Sequence, residues 1–197
     1  MAKEYRHLRV LREQLEKAVA TDVKEQILSG MDYIREGSSP EVKAKWAYEL
    51  MERMNRLLDA DTCIKVREKC ACVLSNENSI YAKGFRRIRR QYPDDHEYLR
   101  EVVAYLNSTK PLRRCGAVSL EGTDIHSVIG RGACACPVIA KGLGQLDHPM
   151  PRTWCHCCKG SLLSVYEHVF PGRMCEMEIA ATVASGADEC RFITRYR

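Results

Sequence analysis

Up to about residue 108 the apolar positions recur at helical spacing; beyond residue 115 they alternate, as in strands with one buried face. In residues 4–29, Leu8, Leu11, Leu15, Ala18 and Val19 form one stripe. Asp22 with Glu25 reads as a capping box at which a helix restarts before Ser29-Gly30. Gly37-Ser38-Ser39-Pro40 punctuates the chain, with Ser39 suited to an N-cap and Pro40 to the first helical position. The helix over 40–58 is expected to bury Val42, Trp46, Leu50, Met54 and Leu57. Asp61 is the expected cap of a third helix carrying Cys63, Val66 and Cys70 on one face, where cysteine packs as a small hydrophobe. Cys70 and Cys72 would point roughly 200° apart on a helix, so they share a site only if the helix ends there. A helix over 80–91 should bury Ile80, Tyr81, Phe85 and Ile88. One opened by Pro93-Asp94 should bury Leu99, Val102, Val103 and Leu106.

Lys110-Pro111 reads as the close of the helical half. Residues 117–120 and 125–129 then flank Glu121-Gly122-Thr123-Asp124, a hairpin signal. Cys134-Ala135-Cys136, if extended, puts both sulfurs on one side of a strand. Residues 142–151 read as a loop, and a helix over about 158–170 follows, with Cys155–Cys158 at its start. Strands over 173–183 and 189–196 close the chain as a hairpin, the first facing Cys175, Met177 and Ile179 one way and Glu176 and Glu178 the other. The predicted fold class is α+β: a helical region, 1–110, packed with a small antiparallel sheet plus helix, 111–197. One continuous domain is the alternative to that division.

Composition narrows the setting. The 197 residues can bury a sizeable core, and no apolar run approaches the length of a membrane span. Met-Ala-Lys-Glu-Tyr-Arg-His lacks the apolar stretch of a secretion signal, so a cytoplasmic location is expected. Eleven cysteines in such a chain are expected to be reduced, serving metal binding, catalysis or packing rather than a disulfide framework. The net charge is +5, and all of the excess lies before Cys115, most visibly in Phe85-Arg86-Arg87-Ile88-Arg89-Arg90. Acidic residues interleave with it and no aromatic stacking motif accompanies it, so a solvated helix face outranks nucleic-acid binding.

The candidate chemistry lies between Ala133 and Cys158. Two Cys-x-Cys pairs, Cys134/Cys136 and Cys155/Cys157, are separated by a glycine-rich spacer, with His156 inside the second. Four thiolates suffice for tetrahedral zinc or, less readily, an iron–sulfur cluster. The other readings are reduced thiols that only pack, and a redox or nucleophilic cysteine at a helix start, where the dipole stabilises a thiolate. Cys155 and Cys157 are the candidate nucleophiles. His126, Trp154, His156 and Tyr166 are candidates to line a ligand pocket. Glu167-His168 reads as a surface pair, and no Gly-x-Ser-x-Gly, glycine-rich phosphate loop or His-Glu-x-x-His is present.

Cys157-Cys158-Lys159-Gly160, Pro171-Gly172-Arg173 and Gly186-x-x-x-Cys190-x-Phe192 resemble the end of 4-vinyl-reductase-type ligand-binding domains. Lys69-Cys70-Ala71-Cys72, Cys134-Ala135-Cys136-Pro137 and Cys155-His156-Cys157 are similar to the pattern of an uncharacterised bacterial cysteine-rich family related to those domains. The closing hairpin resembles, more loosely, the 2-amino-thiazoline-4-carboxylate hydrolase-like family. The resemblance implies a small antiparallel sheet packed with helices around an apolar pocket, and in some vinyl-reductase-type domains a zinc ion held by cysteines and a glutamate. Thr182 and Ile179 stand where those domains keep two ligands, so only Cys190, with Cys155 or Cys157, carries over.

The expected function is a small-molecule-binding or sensory protein with a cysteine-lined pocket. Cys134, Cys136, Cys155, Cys157 and Cys190 are its candidate metal ligands and zinc its candidate cofactor. The alternatives are a hydrolase of C–N bonds in a small thiazoline-like or amide substrate, and an interaction protein with reduced core thiols. The expected partner is a small-molecule ligand, with a homodimer as the candidate assembly, no membrane and no nucleic acid.

Overall fold

The computed structural model describes residues 5–72, 74–109 and 116–197. Among them lie seven α-helices and four strands: α1 (Arg6–Ala18), α2 (Thr21–Ile27), α3 (Pro40–Leu57), α4 (Ala60–Lys69), α5 (Ile80–Gln91), α6 (Asp95–Ser108), β1 (Gly116–Glu121), β2 (Asp124–Arg131), α7 (His156–Tyr166), β3 (Cys175–Ala181) and β4 (Glu189–Tyr196). The expected α+β class holds. No helix among the described residues is long and apolar enough to cross a membrane. Lys110-Pro111 and the boundary expected there lie outside the described residues.

The chain forms two compact units that interleave along the sequence, each drawing on residues from both sides of position 110. The first is Met1–Cys72, Cys136–Gly160 and Ala184–Gly186; the second is Val73–Ala135, Ser161–Val183 and Ala187–Arg197.

In the first unit α1 to α4 bury Leu8, Leu11, Leu15, Ile27, Trp46, Leu50, Met51 and Met54. Ser39 caps α3 through Val42 N, with Pro40 in the first turn, as its sequence dictates. Asp22-Glu25 does not cap α2: Thr21 starts the helix, and Ala20 precedes it without a side-chain cap. The cap of α4 is Asp59, whose Oδ1 accepts from Thr62 N at 2.8 Å; Asp61 sits two residues further in, inside the first turn. Val42 is 46% exposed because the buried arc of α3 runs through Ala47, Leu50, Met51 and Met54, to which Val42 does not belong. A short 3-10 turn over Ala140–Gln145 packs on α3. A Cβ at Gly142 would come 2.1 Å from the Pro40 carbonyl oxygen, so only glycine permits that approach.

The second unit is an antiparallel sheet of order β1-β2-β4-β3, with α5, α6 and the later turns of α7. Glu121 pairs Asp124 across the expected turn, where Gly122 takes a φ of +61°. Asn107 on α6 holds β1 by donating to Val118 O and accepting from Val118 N, both at 2.8 Å. Phe170 stacks edge-on between Tyr98 and Tyr196, and Ser127 and Tyr166 share a buried hydrogen bond of 2.6 Å. Glu178 pairs with Arg195, and Glu176 with Arg197, which is the polar face expected of a half-exposed sheet. Ile80, expected in the core, is 61% exposed, because α5 turns Ala82, Gly84, Phe85 and Ile88 inward.

The Cys134–Cys136 stretch is not a strand. A bulge between Ile129 and Arg131 shifts the register, Arg131 makes the last pair with Glu189, Gly130 and Gly132 take positive φ, and the chain leaves the sheet before Cys134.

Candidate functional site

The chemistry of the first unit gathers where the end of α4 meets the start of α7. α4 carries Cys63 and Arg67 at i and i+4 on one helical face and buries both, and Cys70, its buried C-cap, follows Arg67 by three residues. α4 stops at Lys69, so Cys70-Ala71-Cys72 leaves the helix; this is the condition under which both sulfurs can serve one region. Cys63 packs, its thiol 3.7 Å from Asn55 Oδ1. A 3-10 turn over Arg152–Cys155 runs directly into α7, placing Cys157 and Cys158 in the first helical turn.

The start of α7 is pinned to the end of α4. Glu68 Oε1 accepts from Lys159 Nζ at 2.7 Å and lies 3.2 Å from His156 Nδ1. Burial works against the Glu68 carboxylate, yet His156 and Lys159 hold its pKa below the usual range. A Cβ at Gly160 would fall 2.0 Å from the Glu68 carbonyl oxygen, so the helices meet backbone to backbone.

Arg67 is the central charge. It is 3% exposed, its Nη2 donates to Trp154 O at 2.9 Å, and its guanidinium carbon stands 4.0 Å over the Trp154 ring. Its Nε is buried without a hydrogen-bond partner, and no carboxylate pairs with it among the described residues. A buried guanidinium needs an anion. Burial alone would lower its pKa, but the charges of Cys157, Cys70, Cys136 and Cys155 outweigh burial and raise it.

Cys157 is the thiol that answers this charge. Hydrogen bonds from the Cys158 and Cys72 thiols hold its pKa well below the ordinary value, against the opposing effect of burial, with Arg67 and His7 adding to them. Cys72 and Cys158 move up in turn, chiefly through their hydrogen bonds to Cys157 and then through burial. Burial raises Cys70 and Cys136, and the Cys157 charge adds to both. His7 Nδ1 lies 3.6 Å from Cys72 Sγ, and burial lowers the His7 pKa. The result is a cysteine whose ionised form is favoured by two thiol donors beside a buried guanidinium.

The residues named from sequence divide between the units. Cys136, Cys155, Cys157, Trp154 and His156 belong to the first. Cys134, Cys190, His126 and Tyr166 belong to the second. There Cys190 Sγ accepts from Val183 N at 3.3 Å, and His126 Nε2 stands 3.4 Å from Glu121 Oε2. Tyr166 is buried against Ser127. The ten described cysteines are thiols, with no disulfide among them. Among the described residues no group of three or more His, Cys, Asp or Glu side chains has the arrangement of a metal site. Sequence reasoning missed Arg67, His7 and Cys158; the signal for Arg67 was a lone cation on the cysteine face of α4.

The sequence model of a family of unknown function (DUF6144) matches residues 3–195. The chain belongs to this family. No curated protein matches this DUF6144 chain. Among solved structures, the NMR structure of an H-NOX domain from Shewanella oneidensis, in its Fe(II)CO ligation state, aligns with 99% of the DUF6144 chain and 99% of its own. The identity is 13% and the TM-score 0.47, a likeness from which no residue role carries across.

Proposed function

We propose that the protein is a small-molecule-binding, sensory module whose working centre is the Cys157 thiolate. The observation that supports it is the pair of thiol hydrogen bonds from Cys72 and Cys158 to Cys157, beside the buried Arg67. A thiolate stabilised in this way at a helix start is a soft donor and a nucleophile. Its natural ligands are thiophilic: a soft metal ion or a small electrophile. Cys72, Cys136, Cys155, Cys157 and Cys158, with Trp154 and His156, are the residues proposed to meet that ligand.

The thiolate is tested by following far-ultraviolet thiolate absorbance against pH, with elemental analysis of protein purified without a metal-affinity tag. One thiolate titrating below the ordinary cysteine value of about 8.5, lost in Cys157→Ser and kept in Cys63→Ser, supports the proposal. Titration of every thiol at or above that value sinks it. Stoichiometric zinc or iron lost in Cys157→Ser identifies the ligand as the metal.

A second reading, the C–N hydrolase, rests on a different contact, His7 Nδ1 at 3.6 Å from Cys72 Sγ. A thiol with an imidazole base is the pairing a covalent hydrolase uses. Turnover of a thiazoline carboxylate that is lost in Cys72→Ser and His7→Ala, but kept in Cys157→Ser, would establish it. No turnover would remove it.

A further inference from the structure

The second unit carries an arrangement that the thiolate centre does not use. On α5, Arg86, Arg89 and Arg90 stand at i, i+3 and i+4 and so share a face, from which Arg87 is absent. With Tyr98, His168, Val169 and Pro171 they line a cavity of about 240 Å³; Arg87 lines a different groove, with Tyr92 and Glu101. Neighbouring like charges disfavour one another unless an anion offsets them.

Two carboxylates offset part of this charge and fix the guanidinium groups in place. Arg86 donates to Glu77 Oε2 at 2.8 Å and to Glu77 O at 2.7 Å, and His168 Nδ1 lies 3.5 Å from Glu77 Oε1. Asp95 takes Arg89 on one oxygen at 2.7 Å and Arg173 on the other at 2.8 Å. Three arginines, Arg86, Arg89 and Arg173, thus share two carboxylates, and Arg90 has no ion pair among the described residues. The Arg89 guanidinium carbon lies 4.8 Å from the Tyr98 ring centroid and 5.6 Å from that of Phe170. Arg89 Nη1 and His168 Nε2 are shielded from water and lack hydrogen-bond partners, although both side chains line the cavity.

We infer that this cavity is a binding site for a small phosphomonoester. Guanidinium forks match the oxygens of a phosphate, and Glu77 and Asp95 hold two of them ready, which reduces the ordering cost of binding. Tyr98, Val169 and Pro171 offer an apolar wall to the organic part. A cavity this size, just under the usual drug-sized range of about 300–1,000 Å³, admits a small molecule rather than a polymer backbone.

The test is calorimetry on the full chain with phenyl phosphate and with inorganic phosphate, for the native protein and for Arg90→Gln, Arg87→Gln and Cys157→Ser. Arg90 is exposed and unpaired, so its variant is expected to keep the native thermal midpoint. Saturable one-site binding that weakens about tenfold in Arg90→Gln, through loss of a charge-assisted contact, and that persists in Arg87→Gln and Cys157→Ser, supports the site. Inorganic phosphate binding as tightly as phenyl phosphate overturns the phosphomonoester assignment, because the apolar wall then adds nothing. Absence of saturable binding, or equal weakening by Arg90→Gln and Arg87→Gln, overturns it and makes the run a solvated basic face.

Discussion

Arg67 lies against Trp154 twice over: its guanidinium carbon is 4.0 Å above the indole ring, and its Nη2 donates to the Trp154 carbonyl oxygen at 2.9 Å. That double contact fixes a full positive charge inside the first unit, among Cys70, Cys136, Cys155 and Cys157. Arg67→Met keeps volume and removes the charge. It should raise the Cys157 pKa toward the ordinary thiol value and lower stability by about 3–5 kcal/mol, as when one partner of a buried charge pair is deleted. Arg67→Lys should restore little, because an ammonium cannot stack and donate in that plane. Thiolate absorbance and urea midpoints report the two effects; a Cys157 titration unmoved in Arg67→Met would contradict the coupling.

The same thiolate sets the sign of a pH dependence. Cys157 is depressed in the folded chain, whereas in the unfolded chain it titrates near the ordinary value of about 8.5. Between those two values the unfolded state holds one more proton, so stability rises with pH, by up to about 1.4 kcal/mol per unit, and is lost as pH falls through the folded value. Above about 8.5 the sign reverses, because Cys72 and Cys158 are raised and keep protons that the unfolded chain has released. His7, lowered by burial, adds its own loss of stability on the acid side, so the decisive quantity is the difference between the native chain and Cys157→Ser. Urea midpoints across about pH 6 to 10 should show the rise in the native protein and a weaker rise in the variant. Parallel curves would refute the assignment.

Caps give a test in which sequence and structure disagree. Asp61 looked like the cap of α4, but Asp59 accepts from Thr62 N and, through its other oxygen, from Thr62 Oγ1 at 2.7 Å. Asp59→Ala should cost about 1 kcal/mol, and Asp61→Ala a few tenths at most. Thermal midpoints of the two variants decide it, and equal losses would mean that Asp59 does not cap the helix.

These cases show what the sequence could carry. Helical and alternating periods are local, so the elements, the two hairpins and the Ser39-Pro40 start were legible. Val42 and Ile80 were misjudged because a first-turn residue joins a buried arc only if a neighbouring element covers it, which is a tertiary fact. The Cys-x-Cys pairs stood out by spacing, but spacing could not show that Gly130 and Gly132 end the strand and place Cys134 and Cys136 in different units. Arg67 was not singled out. Its phase with Cys63 and Cys70 was visible, yet only the packing of Trp154 shows why a cation is tolerated there.

Gly160 offers the sharpest contrast between local and tertiary physics. It sits inside α7, where alanine is intrinsically better than glycine by about 1 kcal/mol, so propensity alone predicts that Gly160→Ala stabilises. The added Cβ, however, would lie 2.0 Å from the Glu68 carbonyl oxygen and 3.2 Å from Glu68 Cα, backbone atoms that cannot move aside as a side chain would. α7 must therefore shift from α4, loosening the Glu68 contacts to Lys159 and His156 and displacing Cys157 from the Arg67 charge. The expected outcome is a loss of about 1–3 kcal/mol together with a higher Cys157 pKa. Gly37→Ala, where nothing lies within 4 Å of the new Cβ, should be nearly neutral and serves as the control. Urea denaturation read alongside thiolate absorbance separates the possibilities. If Gly160→Ala is more stable than the native chain with its thiolate unmoved, the α4–α7 contact does not position Cys157.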